Sequence, residues 1–285
     1  MDFETRLRMK LSLLIISLFA GVFLLIGLDK VSSEEEVVSK KEKMAKIIFH
    51  YEDSFSKEEK EKVESWLNQT ASATQRTLGA YPFDLHFYMH RSDNSKEPVP
   101  WANTQRSSKQ GVHFHVNTDF PIEDFLSDWT APHEISHLAI PFLGKSNSWF
   151  AEGFATYMQN EILLEMEECT QEDINKKFKT KLDMARPYYQ KDEPYAEVAM
   201  SLRKTYHFPE MYWGGAFFFI QLNNNIKAID GRTLGEVLKD YQICCRLEDD
   251  DLESLLNSID QLVEGKPASD LMNKYRTLAA KEIFK

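Results

Sequence analysis

Apolar residues are concentrated at the start of the chain. Leu11 to Leu28 (LSLLIISLFAGVFLLIGL) run for eighteen positions without a charge. As a helix rising about 1.5 Å per residue they would extend roughly 27 Å, close to the hydrocarbon thickness of a bilayer. Arg6, Arg8 and Lys10 precede this segment, and Glu34, Glu35 and Glu36 follow it. The asymmetry predicts a transmembrane signal-anchor at 11–28, with residues 1–10 cytoplasmic and the rest extracytoplasmic at the cell membrane. A cleaved signal peptide is the alternative. Against it, the apolar core exceeds the usual ~7–15 residues, and no small-x-small site follows Leu28 cleanly. Residues 29–45 are charged and poor in large apolar side chains, which predicts a juxtamembrane tether.

Beyond the tether the periodicity changes. Ile47 to Tyr51 (IIFHY), Leu85 to His90 (LHFYMH) and Gly111 to Asn117 (GVHFHVN) are rich in β-formers and predict three strands. Ser56 to Leu78 predicts a long amphipathic helix, with Ser56 and Glu59 spaced as a capping box and Gly79 placed to close it. Arg91 to Gln110 is polar and aperiodic and reads as a long loop. Helical patterns then dominate, at 130–140, 149–167, 171–185, 196–206, 212–225, 233–242, 251–263 and 267–282. Strands followed by many helices predict one α+β domain over 46–285. Its sheet-containing half covers about 46–140, and its helical half about 141–285.

Charge narrows the partners. The 285-residue chain carries a formal net charge of −11, which excludes a nucleic-acid partner because phosphate binding needs clustered Lys and Arg. The acidic runs Glu34 to Glu36 and Glu248 to Asp251 read as solvated surface or linker. The three cysteines, Cys169, Cys244 and Cys245, form no C-x-x-C pair, which argues against a thiolate metal site. Neighbouring cysteines reach disulfide geometry only under strain, and Cys169 could bridge one of the other two in an oxidising compartment, but spacing leaves the pairing open.

Residues 133–137 read HEISH. On a helix, positions i and i+4 share a face, so the imidazoles of His133 and His137 can bind one zinc ion. Glu134 projects toward the same pocket and can take a proton from a zinc-activated water. Thr130 is placed to cap this helix, Pro132 fits its first turn, and Pro141 ends it.

Eleven residues after His137, Ser148 to Met158 reads SWFAEGFATYM. Its W-x-x-E-G-x-A-x-Y pattern resembles the gluzincin zinc metallopeptidases, including the aminopeptidase N-like and glycyl aminopeptidase groups and peptidase MA-like domains. The resemblance implies a zincin-like fold and makes Glu152 the third ligand of one Zn2+ ion. Two imidazoles and a carboxylate would leave the fourth position of a tetrahedral ion open, as in catalytic zinc sites. Tyr212 to Ala216 (YWGGA) is similar to a Y-x-x-G-A segment of the same enzymes. There the tyrosine donates to the oxyanion of the tetrahedral intermediate, a role that falls on Tyr212, with His207 as runner-up. The resemblance covers 130–220 well. The segment 141–148 must be tight, the G-x-M-E-N amine-binding segment has no counterpart, and the large N-terminal β-domain is missing.

These readings converge on a membrane-anchored zinc-dependent peptidase acting on a peptide or protein substrate, with Glu134 as general base. The alternative is a catalytically inactive zinc-containing binding or scaffolding domain at the membrane. His113 and His115, two apart on one strand face, read as a second metal pair or as ordinary strand residues. By fold analogy, their strand, Gly111 to Asn117, could pair with extended substrate. Asp119, Asp124 and Asp128 are candidates to orient the ligand imidazoles. Trp149 and Phe150 read as core, and Phe217 to Phe219 as helix packing.

Overall fold

The computed structural model describes residues 45–284. The predicted cytoplasmic segment, the anchor at 11–28 and nearly all of the tether lie outside the described residues. Among the described residues no helix is long and apolar enough to cross a membrane. The C-terminal compact unit spans Ala45–Lys285.

The predicted strands form as β1 (Ile47–Tyr51), β2 (Leu85–Arg91) and β4 (Gln110–Val116). β3 (Trp101–Arg106) is a fourth, inside the stretch read as a loop. The sheet order is β1-β2-β4-β3, parallel except for β3, which runs antiparallel to β4. β3 escaped detection because WANTQR lacks the alternation of a half-buried strand. It is an edge strand held by one neighbour through a short turn at 107–109, so backbone pairing rather than side-chain burial defines it.

α1 (Lys57–Leu78) crosses from β1 to β2, opened by a capping box in which Ser56 and Glu59 exchange side-chain-to-backbone hydrogen bonds. Val63, Trp66, Leu67, Thr70, Ala71, Thr74 and Leu78 recur at helical spacing and are buried. Trp66 meets Phe114 of the sheet with ring centroids 5.4 Å apart. Leu85, Phe87, Met89, Val112, Phe114 and Val116 form the fully buried inner sheet face.

The other helices are α2 (Ile122–Ser127), α3 (Thr130–His137), α4 (Ser148–Glu165), α5 (Gln171–Ala185), α6 (Tyr195–Lys204), α7 (Phe208–Asp230), α8 (Leu234–Cys244), α9 (Leu252–Gln261), α10 (Pro267–Thr277) and α11 (Ala280–Ile283). The fold is therefore α+β, a small N-terminal sheet followed by helices. α2 and the 3-10 turns Lys145–Asn147 and Arg186–Tyr189 are too short to carry a periodic signal. α7 starts four residues before the predicted boundary, because Pro209 occupies its first turn, where a missing N–H costs nothing. The helix expected over 267–282 breaks at Leu278, whose backbone is extended at ψ 147°.

The cysteine pairing, left open by spacing, joins two neighbours. Cys244 and Cys245 are joined to each other, and Cys169 is free and partly buried. α8 ends at Cys244, and Cys245 leaves helical geometry at φ −132°, which lets adjacent side chains turn toward one another.

Candidate metal centre and cleft

α3 is only eight residues long, and its C-terminal carbonyls would be orphaned in the interior. Distant side chains satisfy them. Arg106 on β3 donates to the carbonyls of His137 and Ile140. Arg246 donates to Leu138 O at 2.9 Å, Gln242 to Ala139 O at 2.9 Å, and Tyr81 to Ile135 O at 2.9 Å. Two guanidinium groups at a helix C-terminus also suit its negative dipole end. Burial first, then repulsion from Arg246, pulls the Arg106 pKa down to about 10, which leaves it charged at neutral pH. At the other end Thr130 does not cap the helix: the N-cap is Trp129, and Asp128 satisfies the first backbone N–H. Asp128 Oδ1 accepts from the Thr130 backbone N–H at 2.7 Å, whereas Thr130 already lies within the helix.

One turn of α3 brings the His133 and His137 rings to 4.9 Å between centroids, edge to face. α4 supplies Glu152 across from them. Glu152 Oε2 lies 3.2 Å from His133 Nε2 and 3.6 Å from His137 Nε2. Nitrogen and oxygen donors around tetrahedral zinc at about 2.0–2.2 Å stand roughly 3.3–3.6 Å apart, so this set matches such an ion. The ligand atoms all lie within 4.8 Å of one another, and the three residues could hold a metal. Glu152 stays ionised far below the usual carboxylate range. Burial would raise its pKa, but His137 and His133 outweigh that. For His133, burial lowers the pKa and the Glu152 carboxylate raises it by more.

The residue that orients His133 is Gln159, and none of the three candidate aspartates does so. Gln159 Oε1 accepts from His133 Nδ1 at 2.8 Å, which fixes the ring with Nε2 on the side of Glu152, where it is free to ligate a metal. Asp128 Oδ1 accepts from the Thr130 N–H, the Asp119 N–H donates to Asn117 Oδ1, and Asp124 offers a backbone carbonyl to Ser127. Gln159 lies seven residues after Glu152, two turns along the same helix face, a signal present in the sequence. Gln159→Leu is expected to lower metal affinity roughly 10–100-fold, read by competition with a chromogenic chelator. Unchanged affinity would show that the contact does not tune the ligand.

A cleft of about 470 Å³ opens over the site. Glu134 lines it beside the two imidazoles, with its carboxyl pKa raised by burial against the lowering effect of His137 and His133. Tyr212, on α7, also lines it, its ring 6.0 Å from that of His133. Burial and the charges of Glu152 and Glu134 push the Tyr212 phenol up, so it keeps its proton. His207, the runner-up, lies outside the cleft lining, 3.8 Å from Glu210 and against the Tyr188 ring. It is the N-cap residue of α7, with non-helical backbone at ψ 58°. Ala102, Asn103 and Thr104 of β3 form one wall. The strand from Gly111 to Asn117 offers no free edge for substrate, because β4 is paired on both sides. Trp149 and Phe150 are buried core, as expected.

His113 and His115 belong to a different surface. They stand on the outer sheet face with His50, His86, Tyr88 and His90, stacked rather than convergent. Tyr88 lies 4.5 Å from His50 and 4.4 Å from His113, and His90 lies 4.6 Å from His115. His113 Nδ1 and Nε2 are engaged by His90 and Gln105. Burial, then neighbouring histidines, hold the pKa values of His86, His113 and His115 below the usual range. Lys109 adds to this at His86, while Asp84, Glu52 and Asp53 counter it only in part. At these three histidines the unfolded chain binds more protons than the folded one once pH falls through about 6.5, so their contribution to stability is lost from there downward. Thermal midpoints at pH 7.5, 6.5 and 5.5 should fall, and fall less steeply in His113→Gln/His115→Gln. Parallel slopes would remove the histidine face as the cause.

No family model matches the chain, and no curated protein does. Among solved structures, the fold is similar to an M1 zinc metallopeptidase from Deinococcus radiodurans, with TM-score 0.48 and 15% identity. That alignment covers 80% of this chain and 47% of the other, so this chain spans about half the length of that protein.

Proposed function

We propose that the chain is a membrane-anchored zinc-dependent peptidase, with the anchor at 11–28 placing the described domain outside the cytoplasm. The observation that carries the reading is the convergence of three elements on one open cleft. These are a three-donor set spaced for tetrahedral zinc, a carboxylate that is not part of that set, and a protonated phenol facing both.

Zinc held by His133, His137 and Glu152 would supply Lewis acidity toward the scissile carbonyl and a water activated near neutral pH. Glu134 takes the proton of the attacking water and delivers it to the leaving amine. Tyr212 donates its phenolic hydrogen to the developing oxyanion. The edge strand β3 supports an extended peptide by adding a strand to the sheet beside the site. Arg106 links the two, since the same strand that borders the substrate also ties down the α3 C-terminus.

The test is cleavage of a mixed quenched-fluorescent peptide library by the zinc-loaded full chain, with and without a chelator. Cleavage that stops on chelation and returns with zinc is expected. Stoichiometric zinc with no cleavage of any library member would sink the peptidase reading.

A further inference from the structure

The cleft holds charge that the chemistry above leaves unused. Apart from Glu134 and Glu152, its charged lining is Arg106, Lys145 and Arg203. Arg106 is committed to the carbonyls of α3.

Arg203 sits in the last turn of α6, half-buried, on the side of the cleft where its charge is felt by Tyr212. It differs from every other arginine among the described residues. Arg76, Arg91, Arg186, Arg232 and Arg276 each reach a carboxylate. Arg106 and Arg246 reach backbone carbonyls. The Arg203 guanidinium has no hydrogen-bond or ion-pair partner among the described residues. Lys145, on the exposed turn that closes the cleft, is likewise without one.

A half-withdrawn guanidinium with empty donors is poorly solvated and gains by pairing. Its planar fork matches a carboxylate in two parallel hydrogen bonds. In a chain of net charge −11, a cleft whose uncommitted side chains are cationic also concentrates acidic ligands locally. We propose that Arg203, assisted by Lys145, binds a carboxylate of the peptide substrate close to the scissile bond. That carboxylate is an Asp or Glu side chain, or the substrate's own C-terminal carboxylate. The inference rests on the peptidase reading for the identity of the ligand as a peptide.

The test measures binding, so that it does not depend on turnover. Zinc-loaded Glu134→Ala full chain is titrated by fluorescence anisotropy with labelled peptides. One Glu is moved through an otherwise neutral sequence, each peptide has its Gln counterpart, and both are made with free and amidated C-termini. At one or two positions, or at the free C-terminus, the carboxylate peptide should bind about tenfold tighter than its neutral counterpart. Arg203→Ala should bring the ratio to about two or less, Arg203→Lys should keep part of it, and Arg203→Glu should reverse it. Lys145→Ala, on an exposed turn, should lower the ratio by less. Thermal melts of each variant identify any that fail to fold, and the Lys variant then carries the comparison. A gain that survives amidation assigns a side-chain carboxylate, and a gain lost on amidation assigns the C-terminus. Ratios near one, ratios indifferent to Arg203, or no binding by any peptide would overturn the proposal. Arg203-dependent binding without cleavage by the parent chain would sink only the peptidase reading. Cleavage without a Glu-over-Gln difference would sink only this one.

Discussion

Glu134→Ala is expected to abolish peptide cleavage while leaving zinc bound. The two properties separate because Glu134 lines the cleft beside the imidazoles but is not one of the donors that lie within 4.8 Å of each other. Removing a general base positioned on a rigid helix costs roughly 10²–10⁴-fold in rate. Glu134 is locked there by α3, whose first backbone N–H is satisfied by Asp128 and whose last carbonyls are held by Arg106, Gln242 and Arg246. Zinc per chain by mass spectrometry, together with kcat/KM on one cleaved library peptide, reads both quantities. Cleavage at the parent rate in Glu134→Ala would remove it as the base. Loss of zinc in the same variant would instead place it among the ligands. His137→Ala provides the contrast, since it should lose metal and cleavage together.

Gly153→Ala is expected to be the most damaging small substitution in the helical half. A Cβ at Gly153 would lie 2.3 Å from the Gly215 carbonyl carbon, and one at Gly215 would lie 2.2 Å from Trp149 O. These are backbone contacts between α4 and α7, which no side-chain rotation can relieve. The helices must separate, and overpacking of this kind costs about 3 kcal/mol. For a domain of this size that lowers the thermal midpoint by roughly 6–12 °C. The separation also has a functional reading. Gly153 follows the proposed ligand Glu152, and Gly215 lies one turn beyond Tyr212, so the two glycines set how closely the phenol approaches the metal site. A folded Gly153→Ala should therefore lose kcat more than zinc. A melt unchanged within 1–2 °C would contradict the close helix contact.

The same pair shows how far the residues alone lead. The glycines of A-E-G-F and W-G-G-A stand in the motifs that drew attention to Glu152 and Tyr212, yet nothing in the sequence says that they touch. Helix periodicity placed His133 and His137 on one face because i and i+4 neighbours are fixed by local geometry. The capping box at Ser56 and Glu59 was legible for the same reason, as were the extents of α4 and α5 to within a residue or two. β3 was not legible, because an edge strand of polar residues is defined by a neighbour that pairing alone supplies. The Cys244–Cys245 bond was not legible from spacing either, since the end of α8 decides which way those side chains turn.

The division falls between short-range and long-range order. Local spacing and capping by themselves determined most of the longer helices, three of the four strands, the imidazole pair and its neighbouring carboxylate. Resemblance, not spacing, pointed to Glu152 and Tyr212. Only the tertiary structure decided that Glu152 stands 3.2 and 3.6 Å from the two imidazoles, and that Gln159 rather than an aspartate orients His133. It also decided that a short helix is held at its end by side chains from residues 106, 242 and 246, and that Arg203 lines the cleft without a partner among the described residues. Each of these depends on closing a loop of tens of residues. The sequence spacing across such a loop carries no distance information once the chain has turned.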